Sequence, residues 1–186
     1  PWNTLTITDK TRLLDDPRPA VRERAIQALS KSGDAAVAEL ANVLKSRSAT
    51  LRHRRNAVWT LCRMAGPAAR ETARVALSDP EAEVRQAAAH CVALHRDEPA
   101  MDRLIEMLRD DSPAVRREAA NALGRIGRSE AVEKLLEAAA NLSKGNSDRF
   151  LQHAYIFSLI SINDAAATRR GLRADSFTER HAALLA

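Results

Sequence analysis

Apolar positions along the chain recur at helical spacing, and the whole pattern then repeats. Val21, Ala25, Ala28 and Leu29 fall on one face of a helix. The stretch 16–29 returns as 79–92 and again as 110–123, so that Val21, Val84 and Val115 are equivalent. Val21 and Val84 are 63 residues apart and Val84 and Val115 are 31 apart, which sets a period near 31 with one copy skipped. The skipped copy is degenerate: Arg54, Ala57 and Leu61 match Arg22, Ala25 and Leu29, but the leading Asp-Pro is missing. A second stripe follows each first one: Val37, Leu40 and Leu44, then Met101, Leu104, Ile105 and Leu108, then Val132, Leu135 and Leu136. Each repeat therefore reads as two helices. Asp before Pro opens the first, with its carboxylate available to orphan backbone N–H groups, and Gly33 or Gly127 can close it in a left-handed turn.

Neither helix of such a pair can bury its stripe alone, and stacked pairs bury a continuous core. The pattern predicts an all-α fold, an α-solenoid of about five helical hairpins plus the first helix of a sixth. The repeats are expected at about 13–45, 46–77, 78–108, 109–140 and 141–171, with a partial one at 172–186. Residues 1–12 read as an irregular or strand-like lead-in. A polar stretch at 141–149 reads as a longer connection, followed by a strongly apolar helix from Phe150 to Ile160. The chain begins at Pro1 and ends in the apolar Leu184-Leu185-Ala186, which reads as a piece of a longer, multidomain polypeptide and, taken alone, as a monomer.

Composition agrees with helices and offers little chemistry. Ala occurs 36 times and Leu 21 times among 186 residues, whereas aromatic residues make up 3%. No apolar run is long enough to span a membrane. Basic residues number 29, of which 24 are Arg, against 24 acidic ones, for a formal net charge of +5. The two signs are interleaved and no long block of like charge occurs, so the balance reads as a mixed surface, with nucleic acid not expected as a partner. The two cysteines, Cys62 and Cys91, do not form Cys-x-x-Cys and read as small buried hydrophobes. No Gly-rich phosphate loop, nucleophile elbow or zinc motif is present.

Val-Arg-x-x-Ala-x-x-Ala-Leu after Asp-Pro, at this period, resembles the short HEAT-like repeats first described in phycobilisome lyases. The resemblance covers about residues 13–186. It implies an armadillo-like helical solenoid but little about function, because that family spans scaffolds, chromophore lyases, hydroxylases and DNA glycosylases. The phrasing of the repeats more narrowly resembles the repeat region of large bacterial secreted proteins, which carry a dehydrogenase-like propeller before the repeats and a c-type cytochrome domain after them. That resemblance implies a periplasmic or secreted location, and places haem and redox chemistry in flanking domains. No His-Glu dipeptide occurs among His53, His90, His95, His153 and His181, so the resemblance does not extend to the iron-binding members, which present such pairs.

Two sets of residues stand out. Asp16 with Arg22, Asp79 with Arg85 and Asp110 with Arg116 recur six residues apart, which suggests a structural ladder of charge-assisted hydrogen bonds tying neighbouring repeats together. The second set departs from the repeat. Trp59 stands in a column otherwise occupied by Gln27, His90 and Asn121, and Arg54, Arg55, Arg70, Arg74 and Arg103 add positive charge on the second repeat and beyond. These six are the candidate partner-binding residues, for a flanking domain or an acidic protein surface. The expectation from sequence is thus a protein-binding or spacer scaffold with no catalytic, metal or cofactor residue of its own. The alternatives are a nucleic-acid-binding or DNA-repair solenoid, and a chromophore-lyase subunit.

Overall fold

Each good repeat opens on an aspartate that folds the chain back before the helix begins. Asp16 Oδ1 accepts from the Arg18 N–H at 2.9 Å, Asp79 Oδ1 from Glu81 N–H at 2.9 Å, and Asp110 Oδ1 from Ser112 N–H at 2.9 Å. The carboxylate therefore shapes the turn in front of the helix, two residues along, and a proline then supplies the first helical residue in α2 and α8. The structure, a computed structural model, describes residues 2–142 and 148–186. Among the described residues it contains twelve α-helices and no strand. They are α1 (Ile7–Arg12), α2 (Pro19–Leu29), α3 (Gly33–Lys45), α4 (Leu51–Cys62), α5 (Pro67–Val75), α6 (Ala82–His95), α7 (Met101–Met107), α8 (Pro113–Ile126), α9 (Glu130–Ala140), α10 (Arg149–Ile162), α11 (Ala165–Thr168) and α12 (Phe177–Leu185). The even-numbered helices from α2 onward carry the Arg-x-x-Ala pattern or its relatives, and the odd-numbered ones carry the second stripe. The fold is an α-solenoid, and its chain groups into two compact parts, Pro1–Val92 and Ala93–Ala186.

In the N-terminal part the core is a set of small and branched side chains: Ala25, Leu29, Leu40, Ala57, Leu61 and Val84 are fully or almost fully buried. Alanine at the first-helix position three residues after the repeat arginine lets neighbouring helices approach closely. The lead-in corrects the sequence reading, because Ile7–Arg12 is a helix. Thr6 caps it, its Oγ1 accepting from Asp9 N–H at 3.0 Å while the Asp9 carboxylate accepts from Thr6 N–H at 3.1 Å, a capping box that the sequence carries as Thr-x-x-Asp. His53 Nε2 lies 2.9 Å from the Thr11 carbonyl, and the Arg24 guanidinium lies 4.4 Å over the Trp2 ring, which ties the lead-in to the first two repeats.

In the C-terminal part, Val115, Ala119 and Leu123 of α8, Leu135 and Ala139 of α9, and Leu151, Tyr155 and Leu159 of α10 form the core. Helix α8 ends on Gly127, whose φ of 76° is the left-handed closure expected of it. Gly33 also has positive φ, 63°, but it begins α3, and α2 has already ended at Leu29. The connection at 143–147 lies outside the described residues. Helix α10 is less uniformly buried than its composition suggests: Phe150, Phe157 and Ile160 are exposed, and His153 stacks on Phe157 at 6.3 Å.

Candidate functional site

The repeat arginines share one arrangement. Arg22 Nη1 donates to the carbonyls of Asp16 and Pro17, both at 2.8 Å. Arg85 Nη1 donates to those of Asp79 at 2.9 Å and Pro80 at 2.8 Å, and Arg116 Nη1 to those of Asp110 at 2.7 Å and Asp111 at 3.2 Å. Arg180 Nη1 does the same to Ala174 and Asp175. The guanidinium thus clamps the turn that precedes its own helix, five and six residues back, by charge-assisted bonds to main-chain oxygens. Arg85→Ala is expected to lower stability by about 1.5–3 kcal/mol, read as a shift in the thermal midpoint, and an unchanged midpoint would refute a structural role.

Arg54 shows what the other edge of such a guanidinium can hold. Its Nη1 meets the Ala49 carbonyl, while Nε and Nη2 form a fork on the Asp79 carboxylate at 2.7 and 3.1 Å. Both side chains are buried. This corrects the reading of Arg54 as a partner-binding residue, because its donors are directed inward to the opening turn of the following repeat. Arg55 is paired with Glu83 and half-buried. Trp59 is half-buried too, and its ring meets that of His90 edge to face, with centroids 5.5 Å apart and planes at 61°. Arg70 and Arg74 on α5 are also half-buried. Arg103 donates to Glu106 at 2.7 Å and Lys134 to Glu137 at 2.8 Å, so the positive charge on α7 and α9 is largely matched. Cys62 is half-buried and Cys91 buried, and both thiols are free of disulfide.

The residue that the sequence analysis missed is Tyr155. The first-helix position three residues after the repeat arginine holds Ala25, Ala57, Ala88 and Ala119 in repeats one to four. In α10 the equivalent of Val115, Ala119 and Leu123 is Leu151, Tyr155 and Leu159, and Gln152 replaces the arginine. Tyr155, the only tyrosine in the chain, is 1% exposed. It borders a cavity of about 500 Å³ between α7, α8, α9 and α10, with Arg116, Arg109, Lys134 and Glu137 around it and Leu108 and Leu142 giving it an apolar wall. A cavity of this size takes a small organic ligand.

Burial pushes the Tyr155 phenol up to about 12, with the Arg116 guanidinium beside it pulling the other way. A pKa raised on folding favours the neutral phenol, so its contribution to stability is complete below pH 10 and is lost as the pH rises through about 12. An alkaline titration of tyrosinate absorbance on the folded protein is expected to show its midpoint near 12. A midpoint at the ordinary value of 10 would mean that the phenol is open to water.

Comparisons with known proteins were consistent on fold and changed the picture of function. A family model described as HEAT repeats matches residues 39–112 and 73–146, and one described as PBS lyase HEAT-like repeat matches 21–46. Deoxyhypusine hydroxylase from Drosophila melanogaster is 34% identical over 100 residues, which is 53% of this chain and 33% of that protein. The chain therefore spans about a third of the length of this relative. Among solved structures, the complex of CpcE and CpcF of phycocyanin lyase from Nostoc is similar with a TM-score of 0.62 at 21% identity, covering 97% of this chain and 75% of the other. Human deoxyhypusine hydroxylase in complex with glycerol is similar with a TM-score of 0.54 at 21% identity, covering 85% and 62%. The expectation of a scaffold without enzymatic function is thereby corrected, because the curated relatives are named as enzymes.

Proposed function

We propose, since this chain belongs to the HEAT-repeat family, that it is part of an enzyme of the lyase kind and holds a prosthetic group or substrate in the α7–α10 cavity while a partner protein receives it. The observation that carries this reading is the break in the repeat at Tyr155, where a column of alanines gives way to a phenol beside a guanidinium-lined cavity. A lyase is favoured over a metal-dependent hydroxylase by the donor set. No histidine is followed by glutamate. Arg55, Arg70 and Arg74 are proposed to face the partner, and an acidic protein surface suits them. The narrower phrasing of the repeats supports placing the array in a large secreted bacterial polypeptide with a propeller and a c-type cytochrome domain, which the complete reading frame tests.

The test of function is capture of a linear tetrapyrrole carrying propionate groups, followed by visible circular dichroism, and then its delivery to an acceptor apoprotein. The expected result is an induced signal on binding, abolished by Ala138→Trp, because Ala138 of α9 lines the cavity and the larger ring would fill it. Absence of an induced signal, or one that Ala138→Trp leaves intact, contradicts the proposal.

A further inference from the structure

We infer that the Nε–Nη2 edge of Arg116 is a carboxylate-binding subsite, with the Tyr155 hydroxyl as an added donor, and that the cavity takes a small organic carboxylate with an apolar body. This deepens the preceding reading and rests on it for the ligand's place in the reaction. The precedent is within the chain. Arg54 clamps its own turn through Nη1 and uses Nε and Nη2 to hold the Asp79 carboxylate of the following repeat. Arg116 clamps its turn through Nη1 in the same way. In the repeat that follows Arg116, however, the position six residues before Gln152 is Asn146, which has no carboxylate.

The other acidic groups nearby are committed elsewhere. Asp148 caps α10, its Oδ1 accepting from Phe150 N–H at 3.0 Å and Leu151 N–H at 3.1 Å. Glu137 meets Lys134 at 2.8 Å and Arg109 at 3.6 Å, and Glu106 meets Arg103. Among the described residues no carboxylate lies on Arg116 within ion-pair distance. The guanidinium instead borders the cavity and is a hydrogen-bond partner of the almost completely buried Tyr155 phenol, which also feels the Asp148 carboxylate, so the phenol oxygen accepts from Arg116 and its O–H is left to donate to a ligand. A planar fork of two N–H groups is matched by one carboxylate, and a phenolic O–H can add a third bond to the same anion. Arg22 is the informative contrast. The repeat after it also lacks the aspartate, having Ser48 at that position, but the residue equivalent to Tyr155 there is Ala57, so the added donor is missing.

Because Tyr155 is the only tyrosine, a single carbon-13 label on the tyrosine ring reports the site by NMR. Titration with hexanoate is expected to move that resonance saturably, while hexanamide, of the same shape but neutral, binds at least about tenfold more weakly. Arg116→Lys keeps the charge and loses the fork, and is expected to weaken hexanoate by about tenfold in calorimetry. Tyr155→Phe is expected to weaken it by about threefold to tenfold, and Arg22→Lys to leave it unchanged. Circular dichroism melting of each variant checks that the fold is kept. Equal affinity for hexanamide, an unaffected Arg116→Lys, or no saturable shift overturns the subsite. Hexanoate binding without tetrapyrrole capture would leave the subsite standing and remove the lyase reading, and capture without hexanoate binding would do the reverse.

Discussion

Arg54→Ala is expected to destabilise the protein by about 3–5 kcal/mol. The reason is the carboxylate that remains. Asp79 is 8% exposed and its two oxygens meet Nε and Nη2 of Arg54, so removing the guanidinium leaves a buried charge facing an apolar gap. The same substitution also removes the bond to the Ala49 carbonyl in the turn before α4. Arg54→Lys is expected to recover only part of the loss, because an ammonium cannot span both carboxylate oxygens while also reaching the carbonyl. Replacing both partners, Arg54→Met with Asp79→Leu, should restore much more than either single change. Urea unfolding followed by tryptophan fluorescence measures each of these variants, since Trp59 lies on the same helix as Arg54. A loss under about 1 kcal/mol, as surface ion pairs give, would show that the pair is solvated and that the fork is no model for Arg116.

The second large effect is expected at Gly124. Its Cα faces α10 so closely that an added Cβ would sit 2.8 Å from Ser158 Cα, a main-chain atom that no rotamer change can move. The Ser158 hydroxyl donates within the same contact, to the carbonyls of Ala120 and Ala154 at 2.7 Å each. Alanine at this helical position would gain about 1 kcal/mol of helix propensity over glycine. The overpacking it causes is worth about 1–3 kcal/mol, so Gly124→Ala is expected to be net destabilising. Gly124→Val adds bulk and loses most of the propensity gain, and should lower stability by about 3 kcal/mol. Parting α8 from α10 also opens the Tyr155 ring to water, and because burial is the larger influence on this phenol, both variants should bring the tyrosine midpoint down from about 12 towards its ordinary value, even though moving Arg116 away acts in the opposite direction. If Gly124→Ala is as stable as the parent, the two helices are not held at the separation that the cavity requires.

The fold was legible because its information is periodic. Val21, Val84 and Val115 fall on one register, and a solenoid repeats its solution to burial at each step. The lead-in was not legible on that basis, since it belongs to no repeat, although the local signal of Thr6 and Asp9 was present. The spacing of the aspartates and arginines suggests a ladder between neighbouring repeats, but their bonding could not be read from spacing. Six residues separate Asp110 from Arg116, and that interval brings the guanidinium to the aspartate's main-chain oxygen. Arg54 reads from sequence as a partner-binding residue in a repeat that departs from the pattern, whereas its guanidinium holds a carboxylate from the repeat after it, 25 residues on. Tyr155 could have been found by aligning the column of alanines, since a phenol among them cannot be accommodated without displacing something. It was hidden because the repeat around it is degenerate, with Gln152 in place of arginine and no Asp-Pro before it. A function carried by a departure from a pattern becomes visible only once the pattern has been drawn through the weakest repeat.

The most direct measurement is a crystal structure of the protein with hexanoate. The account predicts the carboxylate in the α7–α10 cavity, both oxygens within hydrogen-bond reach of Nε and Nη2 of Arg116 and one of them also near the Tyr155 hydroxyl, in the geometry that Asp79 makes with Arg54. A ligand bound elsewhere, or an empty cavity at a saturating concentration, would contradict it.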